Sequence, residues 1–160
     1  MKQQQAIELA SNGNEQAAAF LMLIVRISGV WDDLVDRDVP VPDEAINRVF
    51  WNCLISLPNN QFFAQNRAAL ESVLVTSIVN WRSATQAERS EETPQTWAYI
   101  ARSSFIDLFL MTATLTGGPD HAVNIAKELR ETFHHEGMEV YATELKRERL
   151  AREGKKPKEK

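Results

Sequence analysis

The residues of this chain best suited to chemistry stand together in Trp31-Asp32-Asp33-Leu34-Val35-Asp36-Arg37-Asp38. Asp32, Asp33 and Asp36 are three or four positions apart and share one face if the run is helical. Hard carboxylate oxygens at this spacing suit Mg²⁺, which takes one or two carboxylates, keeps several waters and completes its shell with phosphate oxygens. The same acids repel one another, and at a helix C-terminus they also meet the negative end of the dipole, so a cation or a second helix start must compensate them. A structural reading lets the helix break at Ser28-Gly29, with Asp32 or Asp33 capping a new turn. Three further charges lie in apolar surroundings: Arg26, Glu71 and Asp107. The structural expectation is that they are buried and that Arg26 pairs with Glu71 or Asp107, while the functional one makes Asp107 or Glu71 a further ligand or a general base. Arg26, Arg37 and Arg102 are the candidates to face phosphate. A weaker acidic pair, Glu136 and Glu139, follows His134-His135, which lacks the i, i+4 histidine spacing of a helical zinc site.

Asp32-Asp33-Leu34-Val35-Asp36 resembles the DDxxD motif of the isoprenoid synthases, all-helical enzymes whose aspartates bind the Mg²⁺ ions that hold a prenyl diphosphate. The resemblance covers these five residues and implies a helical fold, Mg²⁺ and a diphosphate substrate. No second DDxxD follows, and Ala84 stands between Asn80 and Glu88 where the alternative second metal motif has Ser or Thr. Glu136 and Glu139, taken with Asp33 and Asp36, are similar to the paired acidic motifs of the all-α nucleoside-triphosphate pyrophosphatases, although about a hundred positions separate the two pairs here.

Composition narrows the rest. The chain has 160 residues, 44% hydrophobic and 25% charged, with 6 Gly and 6 Pro, which predicts folding and argues against low-complexity classes. A formal net charge of -4 removes the footprint of a nucleic-acid binder. The single cysteine, Cys53, excludes a disulfide framework and is expected in the core. The polar N-terminus gives no export signal, and the apolar run Ala17 to Val25 ends at Arg26, so neither membrane insertion nor secretion is expected and cytoplasm is the anticipated compartment. No phosphate-cradling loop or nucleophile elbow is present.

The elements that must position these residues are helices. Asn14 caps a first long helix that ends near Val30; Asp43-Glu44 opens a second with apolar positions Ile46, Val49, Phe50, Cys53, Leu54 and Leu57, stopped by Pro58. A third runs from Gln61 past Trp81, a fourth from Thr93-Pro94 to Thr116, and a last from Pro119. With no alternating strand pattern, the expectation is an all-α antiparallel bundle of four to five long helices with short connections, a single domain over 1–150 and a charged basic tail over 151–160. The four tryptophans read as core or interface anchors. The function expected is non-catalytic protein association, as a homo-oligomer or with another protein, without cofactor. The alternative is a Mg²⁺-dependent enzyme acting on a diphosphate or nucleoside triphosphate through the aspartate cluster.

Overall fold

Asn14 opens the central helix, accepting a hydrogen bond from the Ala17 N–H at 3.0 Å, while Glu15 occupies the positive end of the dipole. In the computed structural model, which describes residues 3–37, 39–90, 96–134 and 137–154 (151–154 by backbone only), this helix is α2, Glu15–Asp36. It runs straight through Gly29, where a break was expected. A mid-helix glycine costs only about 1 kcal/mol relative to alanine, and the residues beyond it, from Trp31 to Asp36, are held by contacts with other helices. Arg37 ends α2 in the left-handed region (φ 57°), its N–H bonded to the Asp33 carbonyl at 3.0 Å.

The remaining described elements are α1 Gln3–Ser11, α3 Asp43–Trp51 with a π turn Asn52–Ser56 extending it, α4 Gln61–Gln65, α5 Arg67–Ser90, α6 Thr96–Arg102, α7 Ile106–Phe133 and α8 Met138–Gly154. All regular structure among the described residues is helical. Asp38, the expected helix start Thr93-Pro94, His135, Glu136 and the tail from 155 onward lie outside the described residues. None of the helices is long and apolar enough to cross a membrane.

Short α1 was not foreseen. Its Ala6, Ile7 and Ala10 are fully covered, and small side chains let it approach α7 closely. The Thr116 hydroxyl donates to the Ala10 carbonyl at 3.0 Å, and His121 Nε2 lies 3.0 Å from the Leu9 carbonyl. These contacts seat α1 on the kink of α7, where Gly118 adopts φ 84° ahead of Pro119. Gly117 must be glycine, because a Cβ there would lie 2.5 Å from the His121 ring. Gly118 (φ 84°, ψ 172°) is non-helical, so the break expected at Gly117-Gly118-Pro119 is present: two helical stretches meet at a kink there.

The two longest neighbours of the acidic run, α2 and α5, travel in the same direction. Asn60 just before α4 donates to the Gln16 carbonyl (2.9 Å), Phe20 stacks on Phe63 (5.7 Å between centroids), Trp31 meets Trp81 (4.1 Å), and Arg89 reaches the Val35 carbonyl (2.8 Å). An antiparallel order does not describe this pair; the crossover through α3, the π turn and α4 returns the chain to the start of α2 before α5 begins. Their backbones scarcely approach, and large side chains bridge the gap. Between them lies an open groove of about 910 Å³, bordered by Trp31, Val35, Val79, Arg82 and Gln86. The core sits on the other side, around Phe20, Leu21, Phe62, Phe63, Leu70, Leu108, Phe109 and Leu129.

Helix α6 folds back along α5. Ala98 packs on Ala84 and Ala87, and Ser77 and Ser104 exchange hydrogen bonds, each hydroxyl donating to the other's carbonyl at 3.1 and 3.3 Å. This pairing brings the ends of α2, α5 and α6 to one place.

Candidate functional site

Arg102 stands where those three ends meet. Its Nη1 donates to Glu88 Oε2 at 2.6 Å, and its Nη2 to Asp32 Oδ1 at 3.1 Å and Asp36 Oδ2 at 2.5 Å. Its guanidinium also lies 5.5 Å from the Trp81 ring centre, within cation–π range. Tyr141 of α8 donates to the other Glu88 oxygen at 2.5 Å. Arg89 adds a second cation, 3.7 Å from Asp36 Oδ1, and covers the Val35 carbonyl. The negative end of α2 and its acids are thus answered by arginines from α5 and α6.

Burial makes this cluster more than a surface network. The Glu88 side chain is 5% exposed, that of Asp36 18% and that of Arg102 25%. Burial alone would push the Arg102 pKa down, yet Glu88, Asp36 and Asp32 outweigh it and hold the guanidinium above its ordinary range. Tyr141 is shifted upward from 10.0, first by burial and then by its hydrogen bond to Glu88. Arg102 is locked in its charged form and Tyr141 in its protonated one, so neither serves as a proton carrier near neutral pH.

The other candidates disperse. Asp33 is half-buried beside the cluster and bonds neither arginine among the described residues. Arg26 is exposed, a correction to its expected burial; Glu71 pairs along its own helix with Arg67 (2.7 Å), and the exposed Asp107 with Arg130 (3.3 Å). No Arg26–Glu71 or Arg26–Asp107 pair forms, because each falls on the solvent side of its helix rather than on the apolar stripe. Arg37 is the exposed C-cap of α2 and Glu139 is exposed on the first turn of α8. His134 ends α7 against the Tyr99 ring. Among the described residues no group of three or more His, Cys, Asp or Glu converges in a geometry that holds a metal ion.

From the sequence Glu88 entered only through the incomplete second metal motif and Tyr141 not as a site residue, although a further signal existed for Glu88. Ser77, Trp81, Ala84, Thr85 and Glu88 repeat at three and four, so Glu88 continues the covered stripe of α5 into a run of charges.

A second region differs in kind. Helix α3 and its π turn carry apolar residues on two sides. Ile46, Val49 and Leu57 are half-buried toward α2, while Phe50, Trp51, Leu54 and Ile55 point outward, the first three 64%, 63% and 67% exposed. The Leu57 N–H bonds the Asn52 carbonyl at 2.8 Å, five residues back, which defines the π turn; the Asn52 side chain is buried beneath it. Cys53, expected in the core, is exposed on this element, and burial of part of its surface pushes the thiol pKa up. Of the apolar positions predicted for this helix, Ile46, Val49 and Leu57 are half-buried, while Phe50, Cys53 and Leu54 are exposed. No protein-family model, curated protein or solved structure matches this chain.

Proposed function

We propose that this chain is a helical-bundle protein that acts by associating with protein through the outward face of α3 and its π turn. The observation that carries the reading is the clustering of Phe50, Trp51, Leu54 and Ile55 in solvent at helical spacing. Helix α3 itself is amphipathic, with Asp43, Glu44, Asn47 and Arg48 exposed; the outward apolar residues gather at its last turn and on the π turn, where the described residues leave them largely uncovered. Aromatic side chains present about 150–250 Å² each when uncovered, so these four offer on the order of 500 Å², the upper range of the largest patch on a monomer. Trp and Phe in such a patch are the residue types enriched at interface centres.

The acidic run supports a structural role beside this. Asp32 and Asp36 spend their charge on Arg102, and the guanidinium occupies the position from which a cation would neutralise them. A photo-crosslinking residue placed at position 50 of the full chain, in the cells that make it, tests the reading. A protein adduct is expected there and not from a control at the exposed Glu128 on α7. No adduct at position 50 overturns it.

A further inference from the structure

Resting on the association reading, we infer that the occupant of the α3 face is a second copy of this chain, docked α3 against α3 in antiparallel order about a two-fold axis. Three observations select this partner and this order. The first is charge. From Val49 to Leu57 the element carries no ionisable residue except the Cys53 thiol. A partner recognised by salt bridges finds nothing to pair with here, and two copies, each of net charge -4, bring no like charges together across the centre.

The second is the distribution of charge at the ends. Asp43 and Glu44 lie in the first turn of α3, and Arg48 follows, 2.6 Å from Glu44. Parallel docking would set Asp43, Glu44 and Arg48 of each copy against the same residues of the other. Antiparallel docking sets Asp43 and Glu44 against the uncharged Pro58-Asn59 end of the second copy, and the two helix dipoles then oppose each other favourably.

The third is area. About 500 Å² of apolar side chain, widened by the exposed rim residues Asn47, Arg48, Pro58 and Asn59, approaches the roughly 800 Å² per partner of a standard specific interface. An isologous contact uses this one patch twice and closes on itself, leaving no unsatisfied copy to propagate. With the axis at Trp51, the two Trp51 rings meet across it, Phe50 and Leu54 flank them, and Asp43 and Glu44 lie opposite Asn59 and Pro58 of the second copy. Cys53, three residues on from Phe50 and so beside it on the helix, lies at the edge of the patch, where docking covers part of it.

Sedimentation equilibrium of the full chain over a hundredfold range of concentration, combined with the alkylation rate of Cys53, tests the inference. A dimer of twice the 18.2 kDa chain mass is expected, with Cys53 protected as the dimer fills. Leu54→Glu and Phe50→Ser should each weaken dimerisation by about 30-fold or more with unchanged far-UV circular dichroism. The order of the helices is read with Asn59→Lys. In antiparallel docking its cation meets Asp43 and Glu44 of the second copy and tightens the dimer; in parallel docking it meets its own counterpart and does not.

A chain that is monomeric throughout overturns the inference without touching the association reading if the position-50 adduct is to another protein. Absence of both dimer and adduct removes both. A dimer that survives Leu54→Glu and Phe50→Ser and leaves Cys53 equally reactive uses a different face, and also overturns the inference. Weakening or no effect from Asn59→Lys overturns the antiparallel order.

Discussion

The Arg102 cluster and the α3 face are both conspicuous, one for its charges and the other for its apolar surface, and they stand in opposite relation to the rest of the chain. Around Arg102, carboxylates from α2 and α5, a guanidinium from α6 and a phenol from α8 satisfy one another in a partly buried setting. On α3 and its π turn, large apolar side chains are left largely uncovered by the described residues. Charged residues invite a search for chemistry, yet charge that is internally paired has little left for a ligand. Surface left uncovered carries the stronger indication of what the molecule meets.

Removing the guanidinium is the severest test of the first half of that contrast. Arg102→Met leaves Glu88 buried and Asp32 and Asp36 mutually repelling, so the loss should approach about 3 kcal/mol, the range for breaking a buried ion pair from one side. Urea unfolding of the variant below its dissociation range checks this; a loss under about 1 kcal/mol would mean the cluster is solvated and dispensable. A thermal scan separates structure from metal chemistry. Mg²⁺ with inorganic diphosphate should leave the parent's melting temperature unchanged, because Arg102 already occupies the acids. A rise in the parent that Asp32→Asn/Asp36→Asn abolishes would restore the diphosphate-enzyme reading.

Tyr141 gives a smaller effect with a definite pH signature. Losing its hydrogen bond to Glu88 in Tyr141→Phe should cost about 1 kcal/mol and loosen α8, which also packs on α6. The folded-state pKa of Tyr141 lies above its ordinary 10.0. The unfolded chain therefore releases this proton first as pH rises, so the tyrosine's contribution is complete below 10 and declines above it. The parent should lose stability over the first unit or so above about pH 10 more steeply than Tyr141→Phe, measured by urea midpoints across that range. Equal slopes would show that the phenol is not held by the carboxylate.

How much of this was legible depended on the range of the interaction. Local signals read well: Asn14 as a cap, the break at Gly117-Gly118-Pro119, and helices throughout. Gly29 misled because a weak local preference was set against contacts of Trp31, Asp32 and Asp36 with residues 50 or more positions away, which no local window contains. Arg102 was singled out as a phosphate-facing candidate, but sequence distance hid its partners, which lie 14, 66 and 70 positions off. The parallel course of α2 and α5 was equally invisible, since the crossover through α3 and α4 has helix-length pieces that fit an up-and-down order as well. On α3, periodicity identified the apolar positions but not which flank faces α2, because a broad stripe is compatible with two buried sides.

The smallest effect sharpens the comparison most. Phe50→Ser removes a large apolar side chain, a change that in the core would cost about 3–5 kcal/mol. On the outward side of α3 the ring is mostly uncovered and has little intrachain packing to lose, so in dilute solution, below the dimer's dissociation range, the unfolding free energy should move by no more than about 0.5 kcal/mol. Raising the protein concentration should then part the two proteins. The parent's melting temperature climbs by mass action as the dimer fills, while that of Phe50→Ser stays flat. A large loss in dilute solution would instead place Phe50 within the fold's own packing, and the contrast between a self-satisfied charge cluster and an apolar face awaiting its counterpart would fail at its second term.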